Sequence, residues 1–329
     1  MRETLSLRTR CGVILGVLLL AAVALLAISS SGAARRSVAF PVMGTVGRFE
    51  WYAPPSEAEK IFDAATHAAQ EEFQKVVSVG NLRDENSELS RLNATAHREP
   101  FVCSPMLWDI LMEARRAWRE TEGVFDVSVK PLMDLWGFYR KRSTMPSAEE
   151  IEAACALTGL DKIVFDDDRR SVGFPRQGMA IDLDGIAKGY ALDLAAQAAQ
   201  RAGVRTGALD LGGNLRLLEP PEKYFSIGVR SPGKTGRTVR KKELEKVSGG
   251  VGIATSGNYE RFTVLDGKKY GHVLDPATGR PAPFRYSATV IAPTAAEADW
   301  LSTALYLKPE LAEKFRARGV TVILVTPDE

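Results

Sequence analysis

Ala180-Ile181-Asp182-Leu183-Asp184-Gly185-Ile186-Ala187-Lys188-Gly189-Tyr190 joins a run that reads as a strand, residues 180–183, to a helix. That helix starts at Gly185, runs to about Ala202 and stops at Gly203. A helix start exposes unpaired N–H groups and the positive end of a dipole, which suits phosphate. Lys188 falls in the first turn, within reach of the same anion. Gly185 has no Cβ, so the backbone can approach a ligand there and its carbonyl can face a cation. Taken alone, Asp and Gly at such a junction are as commonly a simple cap.

Outward from this junction, strand-like runs and long helices mix without a regular βα alternation, which predicts an α+β fold. Residues 38–52 read as a first strand pair around Met43-Gly44-Thr45. Residues 56–77 have helical period with Ser56 as cap. Ser87 to Asn93 is a short helical turn. Ser104 caps a second long helix through Pro105 to about Thr121, and Gly123 stops it. Residues 147–157 form a short helix. Residues 162–165 and 171–174 read as a hairpin across Asp166-Asp167-Asp168, an acidic triplet better explained as a solvated turn than as a metal site. Further strands are expected at 208–211, 224–230, 251–255, 262–265 and 287–292. A helix at 297–307 and a closing strand at 320–326 follow. The charged stretch 237–246 reads as a solvated loop.

The chain has 329 residues, 45% of them hydrophobic, enough for a substantial core in one large or two intertwined domains. The net charge of +2 gives no strong basic field, so no nucleic-acid partner is expected. Cys103 and Cys155 have neither metal spacing nor framework density and read as buried thiols, or as one disulfide if the domain is exported. At the N-terminus, Arg2, Arg8 and Arg10 precede an uncharged run from Cys11 to Ile28, followed by Arg35-Arg36. Such a run is long for a signal-peptide core and just long enough to span a bilayer. Residues 1–36 are therefore expected to be an apolar helix acting as signal anchor or signal peptide. Residues 37–329 would form the folded body on the extracytoplasmic side.

Chemistry-bearing residues cluster late in the chain. Gly271-His272-Val273-Leu274-Asp275-Pro276 precedes a Thr278-Gly279 turn, and Ala298-Asp299-Trp300-Leu301-Ser302-Thr303 follows. Asp299 and Thr303 are four apart in a helical segment, so both oxygens project from one face. A carboxylate beside a hydroxyl suits a hard cation. Both read as site residues, outside the core. Asp210-Leu211-Gly212-Gly213-Asn214 and Thr255-Ser256-Gly257-Asn258-Tyr259 are two more glycine loops at strand ends. His272, one of three histidines, gains weight from its position beside these clusters. No GxGxxG or GxxxxGK[ST] follows a strand and no HExxH is present, so the standard dinucleotide, P-loop and zinc-protease readings fail.

The order of these clusters resembles the ApbE family, the FAD:protein FMN transferases. The resemblance runs from Met43-Gly44-Thr45 through Ser87 to Asn93, Gly123-Val124-Phe125-Asp126, Leu135-Trp136-Gly137-Phe138, Asp182 to Tyr190, Asp210 to Asn214, Ala254 to Tyr259 and His272 to Gly279, and ends at Ala298 to Thr303. It covers about residues 40–325. It implies a single large α+β domain of T-fold-like type with two intertwined sub-regions. It also implies transfer of FMN from FAD to a Thr or Ser hydroxyl of an acceptor protein, with Mg²⁺ required and AMP released. Family acceptors include subunits of Na⁺-translocating NADH:quinone reductase and Rnf-type complexes.

By the same resemblance, Asp299, Thr303 and the Gly185 carbonyl hold the metal. Met43, Val124, Phe125, Asp126, Asp182, Lys188 and His272 contact FAD, and His272, Asp299 and Lys188 carry the chemistry. His272 and Asp299 are both candidates for the general base. Two departures stand out. Asp184 replaces a glycine usual in the helix-start motif, and Val79-Gly80-Asn81-Leu82-Arg83 stands where relatives often place an aromatic residue over the flavin. Some relatives altered in this region hydrolyse FAD to FMN and AMP, so a hydrolase is the alternative. A flavin-binding protein without turnover is a third reading.

Overall fold

The computed structural model describes residues 23–26, 32–219, 224–232, 238–245, 249–258 and 261–327. Seven strands form one antiparallel sheet: β1 Ala34–Val42, β2 Thr45–Ala53, β3 Thr206–Leu211, β4 Asn214–Leu217, β5 Val251–Ser256, β6 Ser287–Ala292 and β7 Thr321–Val325. Their order in space follows their order in the chain, each strand antiparallel to the next. The sheet is a meander whose connections carry the other elements. Between β2 and β3 lie the helices α1 Ala58–Gly80, α2 Pro105–Glu120 and α3 Ala187–Arg201. Between β6 and β7 lies α4 Ala295–Leu307. The mixed architecture is the expected α+β class.

Side chains alternate across the sheet with the period of two that extended backbone imposes. Leu209, Leu211, Ala254, Ala288 and Val290 join the core beneath the helices. Ala208, Ile253 and Ile291 pack on the opposite face against Phe225 and Ile227 of strand Tyr224–Arg230. On the helical side, α1 buries Ala58, Phe62, Ala65, Ala69, Phe73 and Val76, a single apolar stripe. It packs along α3, whose buried face is largely alanine. Helix α4 is buried almost all round, as a helix held between a sheet and other helices must be.

Helices α3 and α4 meet backbone to backbone. A Cβ added at Gly189 would lie 2.2 Å from the Ala295 carbonyl oxygen. The Asp193 carboxylate of α3 accepts the Ala295 and Ala296 N–H groups, each at 2.9 Å, and Thr294 accepts Glu297 N–H at 3.1 Å. The first N–H groups of α4 are thus satisfied partly by the neighbouring helix. A smaller cluster of Leu132, Met133, Trp136, Leu265 and Leu274 ties the segment after Asp126 to the hairpins of residues 262–281. Trp136 Nε1 donates to the Gly279 carbonyl at 2.7 Å across that junction.

Four local expectations are corrected. Residues 180–183 are not a strand. The Asn93 side chain bonds both the N–H and the carbonyl of Ile181, at 2.8 and 2.9 Å, and Asp182 N–H donates to the Val127 carbonyl, so the segment's backbone groups find partners outside any ladder. Helix α1 starts at Ala58 with Glu57 at its cap position, so Ser56 does not cap it. Within the expected loop 237–246, Thr238–Glu245 is a strand paired with Tyr224–Arg230. Its backbone finds partners along that strand despite its charged sequence. Of the expected apolar helix, Val23–Leu26 is instead extended, its backbone groups paired with the other edge of Tyr224–Arg230. Residues 1–22 and 27–31 lie outside the described residues, and with them the rest of that expectation. Among the described residues no helix is long and apolar enough to cross a membrane.

Candidate active site

One end of the sheet gathers the β1–β2 turn, the β3–β4 turn and the end of β5. Met43 and Gly44 form the first turn with φ of 50° and 72°. Positive φ at both central positions is what a twisted two-residue hairpin demands, and it is costly for Met. Gly212 and Gly213, also at positive φ, form the second. Beside these turns lie the start of α3 and the Asp299–Thr303 face of α4. Together they enclose a cavity of about 660 Å³.

The cavity is lined by every residue expected at the site: Met43, Val124, Phe125, Asp126, Asp182, Gly185, Lys188, His272, Asp299 and Thr303. Their roles differ. The Asp126 carboxylate is absorbed locally, accepting Ser128 N–H, Ser128 Oγ–H and Leu160 N–H at 2.6–2.9 Å. It shapes the wall while its charge is spent on the turn that follows. Phe125 is buried against Gly185, where a Cβ would come within 3.0 Å of its ring. Asp182 accepts Asp184 N–H at 2.8 Å and Tyr139 Oη–H at 2.8 Å. Burial first, and Asp184 second, push its carboxyl up to about 7.

Asp299 was expected outside the core, yet it is 5% exposed. Its Oδ2 accepts Gly189 N–H at 2.9 Å and its Oδ1 accepts the Asn214 amide at 2.8 Å. Burial raises its pKa above the ordinary carboxylate value, against the pull of Lys188 and these two donors. Ser256 Oγ lies 3.1 Å from Thr303 Oγ1 and 2.8 Å from Ser302 Oγ. A Cβ at Gly185 would lie 3.9 Å from Thr303 Oγ1, so the helix-start loop runs directly past this hydroxyl.

The donor set fits a magnesium ion. Its atoms are all oxygens, and each Asp299 oxygen has used one of two lone pairs. Among the described residues no three His, Cys, Asp or Glu side chains converge on a metal position. A single carboxylate supplemented by hydroxyl, carbonyl and substrate phosphate is nonetheless a common way to hold Mg²⁺.

His272 faces the Arg261 carbonyl through Nδ1 at 3.2 Å. A carbonyl only accepts, so Nδ1 carries the proton in the neutral ring and Nε2 keeps its lone pair. Burial first, then the charges of Arg261 and Lys188, push the ring down to about 4. Asn258 holds the neighbouring backbone, accepting Val273 N–H at 2.9 Å and donating to the Ala282 carbonyl at 2.8 Å.

Several residues that complete the cavity were not singled out from sequence. Asn214 and Ser256 belong to glycine loops already noted, so their signal was present in those motifs. Tyr139 and Arg261 had no local signal. Arg261 pairs with Asp184 at 2.8 Å, and its guanidinium lies 5.7 Å from the Tyr139 ring centroid. The extra charge of Asp184 is therefore balanced by a residue far along the chain. The segment Val79 to Arg83 also reaches the cavity, through Gly80, Asn81, Leu82 and Arg83.

An α+β scaffold with a nucleotide-sized cavity, a helix start aimed into it and an oxygen cluster on its wall defines a class of nucleotide-handling protein. The model of the ApbE family matches residues 43–324. The FAD:protein FMN transferase of Vibrio cholerae serotype O1 (strain ATCC 39541 / Classical Ogawa 395 / O395) is 33% identical over 297 residues, covering 88% of this chain and 86% of that protein. The crystal structure of the ApbE protein from Thermotoga maritima superposes with a TM-score of 0.79 at 31% identity, covering 89% of this chain and 94% of that one. The flavin transferase ApbE from Vibrio cholerae gives 0.76 at 29% identity, covering 89% and 94%. The chain belongs to the ApbE family.

Proposed function

We propose that this protein transfers FMN from FAD to a Thr or Ser hydroxyl of an acceptor protein, releasing AMP, with Mg²⁺ held by Asp299, Thr303 and the Gly185 carbonyl. The observation that carries this reading is the convergence of Asp299, Thr303, Gly185, Lys188 and His272 on one cavity large enough for a dinucleotide. Bound there, Mg²⁺ would neutralise charge on the pyrophosphate. Lys188, in the first turn of α3, adds a second cation and the helix dipole a third favourable field.

The acceptor oxygen attacks the phosphorus of the FMN half. The bond from that phosphorus to the oxygen bridging to AMP breaks, and AMP leaves with the electron pair. The hydroxyl proton passes to His272 Nε2, which is free because Nδ1 is committed to the Arg261 carbonyl. His272 takes the base role in preference to Asp299, whose two oxygens already accept hydrogen bonds. In-line alignment of the hydroxyl with the departing AMP supplies much of the remaining acceleration.

The test uses purified protein, FAD and Mg²⁺ with and without an acceptor, following AMP release and mapping an FMN phosphoester by mass spectrometry. Acceptor-dependent release with a modified Thr or Ser is the expected result. Release without acceptor would mean a hydrolase, and no release a flavin binder.

The state of His272 gives a pH prediction. Its folded pKa of about 4 lies below the ordinary 6.5, so between these values the unfolded chain holds a proton that the folded chain does not. Its contribution to stability is therefore full above pH 6.5 and is lost as pH falls toward 4. Ring signals of the three histidines followed by NMR should show one that stays neutral until about pH 4. A His272 signal with a midpoint near 6.5 would overturn the burial of the ring beside Arg261 and Lys188.

The reading includes an extracytoplasmic location, supported by the apolar run from Cys11 to Ile28 and its basic flanks. Added protease should digest the folded body in spheroplasts whose membranes are intact. Protection until lysis would overturn this location.

A further inference from the structure

Five large apolar side chains stand out as exposed among the described residues: Val102, Val164, Phe262, Val264 and Phe284. Two of them, Phe262 and Phe284, border the segment around His272. Phe262 follows Arg261, whose carbonyl accepts both the His272 N–H at 3.3 Å and its ring. Phe284 lies two residues beyond Ala282, whose N–H donates to the Val273 carbonyl at 2.8 Å. The cavity wall at Arg261, His272 and Val273 thus continues outward into apolar surface.

The hairpin of Phe262–Leu265 and Lys268–Gly271 explains the exposure. Side chains in a strand alternate between its faces. Thr263, Leu265 and Tyr270 turn inward, Leu265 fully buried and Tyr270 against Trp136. Phe262, Val264 and Lys269 are left on the outer face. Phe262 is 40% exposed and Val264 50%. Opposite Phe262 stands Gly271, where a Cβ would run into the buried Asn258 side chain. Lys269 lies over the Phe262 ring at 4.2 Å, whereas Lys268, paired with Leu265, belongs to the other face. A solvated hairpin has no need of two apolar residues on its outer face, and apolar surface rimmed by charge marks an interaction site.

We infer that the outer face of this hairpin, with Phe284, docks the acceptor protein, gripping the segment next to the hydroxyl that receives FMN. This rests on the proposed transfer reaction. The occupant is an acceptor segment with apolar residues beside acidic ones. The apolar part meets Phe262, Val264 and Phe284, and the acidic part meets Lys269. FAD fills the cavity, so the hydroxyl must enter from its rim, and this surface continues from the rim beside the proposed base. Contacts made by remote parts of a substrate align the reacting group.

The test compares the unaltered protein with the Phe262→Ser/Val264→Ser double variant. The probe is the purified acceptor subunit of a Na⁺-translocating NADH:quinone reductase. The variant should raise the KM for acceptor at least tenfold. FAD affinity should stay unchanged, because neither residue touches the cavity. Lys269→Glu should raise the same KM and reduce its dependence on salt. An unchanged acceptor KM in the Phe262/Val264 variant, beside normal transfer by the unaltered protein, overturns the docking surface alone. Absence of FMN transfer by the unaltered protein overturns the transfer reading and the docking surface with it.

Discussion

Asp299→Ala should abolish FMN transfer and weaken the fold at the same time. The carboxylate is the one charged ligand in the proposed metal set, and its loss removes several kcal/mol of charge neutralisation, about 10²–10⁴-fold in rate. The same side chain accepts Gly189 N–H and the Asn214 amide in a buried setting. Removing it strands both donors, each at a cost of about 1–3 kcal/mol. AMP release should vanish, calorimetric titration with Mg²⁺ and FAD should lose its metal-dependent heat, and the melting temperature should fall. Thr303→Val separates the two effects. Its hydroxyl meets Ser256 at 3.1 Å and only weakly reaches back to the Asp299 carbonyl, so activity should drop with little change in melting. Full turnover in Asp299→Ala would sink the metal assignment, and an unchanged melting temperature would sink the buried hydrogen bonds.

Gly189→Ala should be a severely damaging single methyl where the two helices meet. The added Cβ would meet the Ala295 carbonyl oxygen at 2.2 Å and its carbon at 2.6 Å, and backbone cannot turn aside as a side-chain tip can. Helices α3 and α4 would have to separate. Overpacking of this kind costs on the order of 3 kcal/mol or more. Separation would also pull Gly189 N–H from Asp299 and disturb the Asp193 cap of α4. Loss of soluble protein, or a large fall in melting temperature with FAD binding weakened, is the expected outcome. Wild-type melting and affinity would mean that the two helices are not in contact as described.

The helices and strands with strong local patterns were legible. Ser104 before Pro105, Ser147 three residues ahead of Glu150, and the apolar stripe of α1 announce their elements through caps and period alone. Misreadings came where an element's identity rests on the segments it pairs with. Residues 180–183 are apolar enough for a strand, but Asn93 and Val127 take their backbone groups. Thr238–Glu245 looks like solvated loop because its strand identity comes from the neighbour it pairs with.

For the site, spacing along one helix put Asp299 and Thr303 on a common face, and glycine punctuation marked the loops around them. That much follows from the periodicity of the backbone. Tertiary structure alone decided that Asp126 is spent on its own turn and that Asp299 is buried beneath Gly189. It also joined Arg261 to Asp184 across 77 positions. Each of these depends on contacts between distant segments, which a local pattern does not encode. Sequence thus settled which residues could take part, because residue type and helical pitch are local properties. The fold settled what each one does, because burial, hydrogen-bond partners and the field at a charge are set by whatever the chain brings beside it.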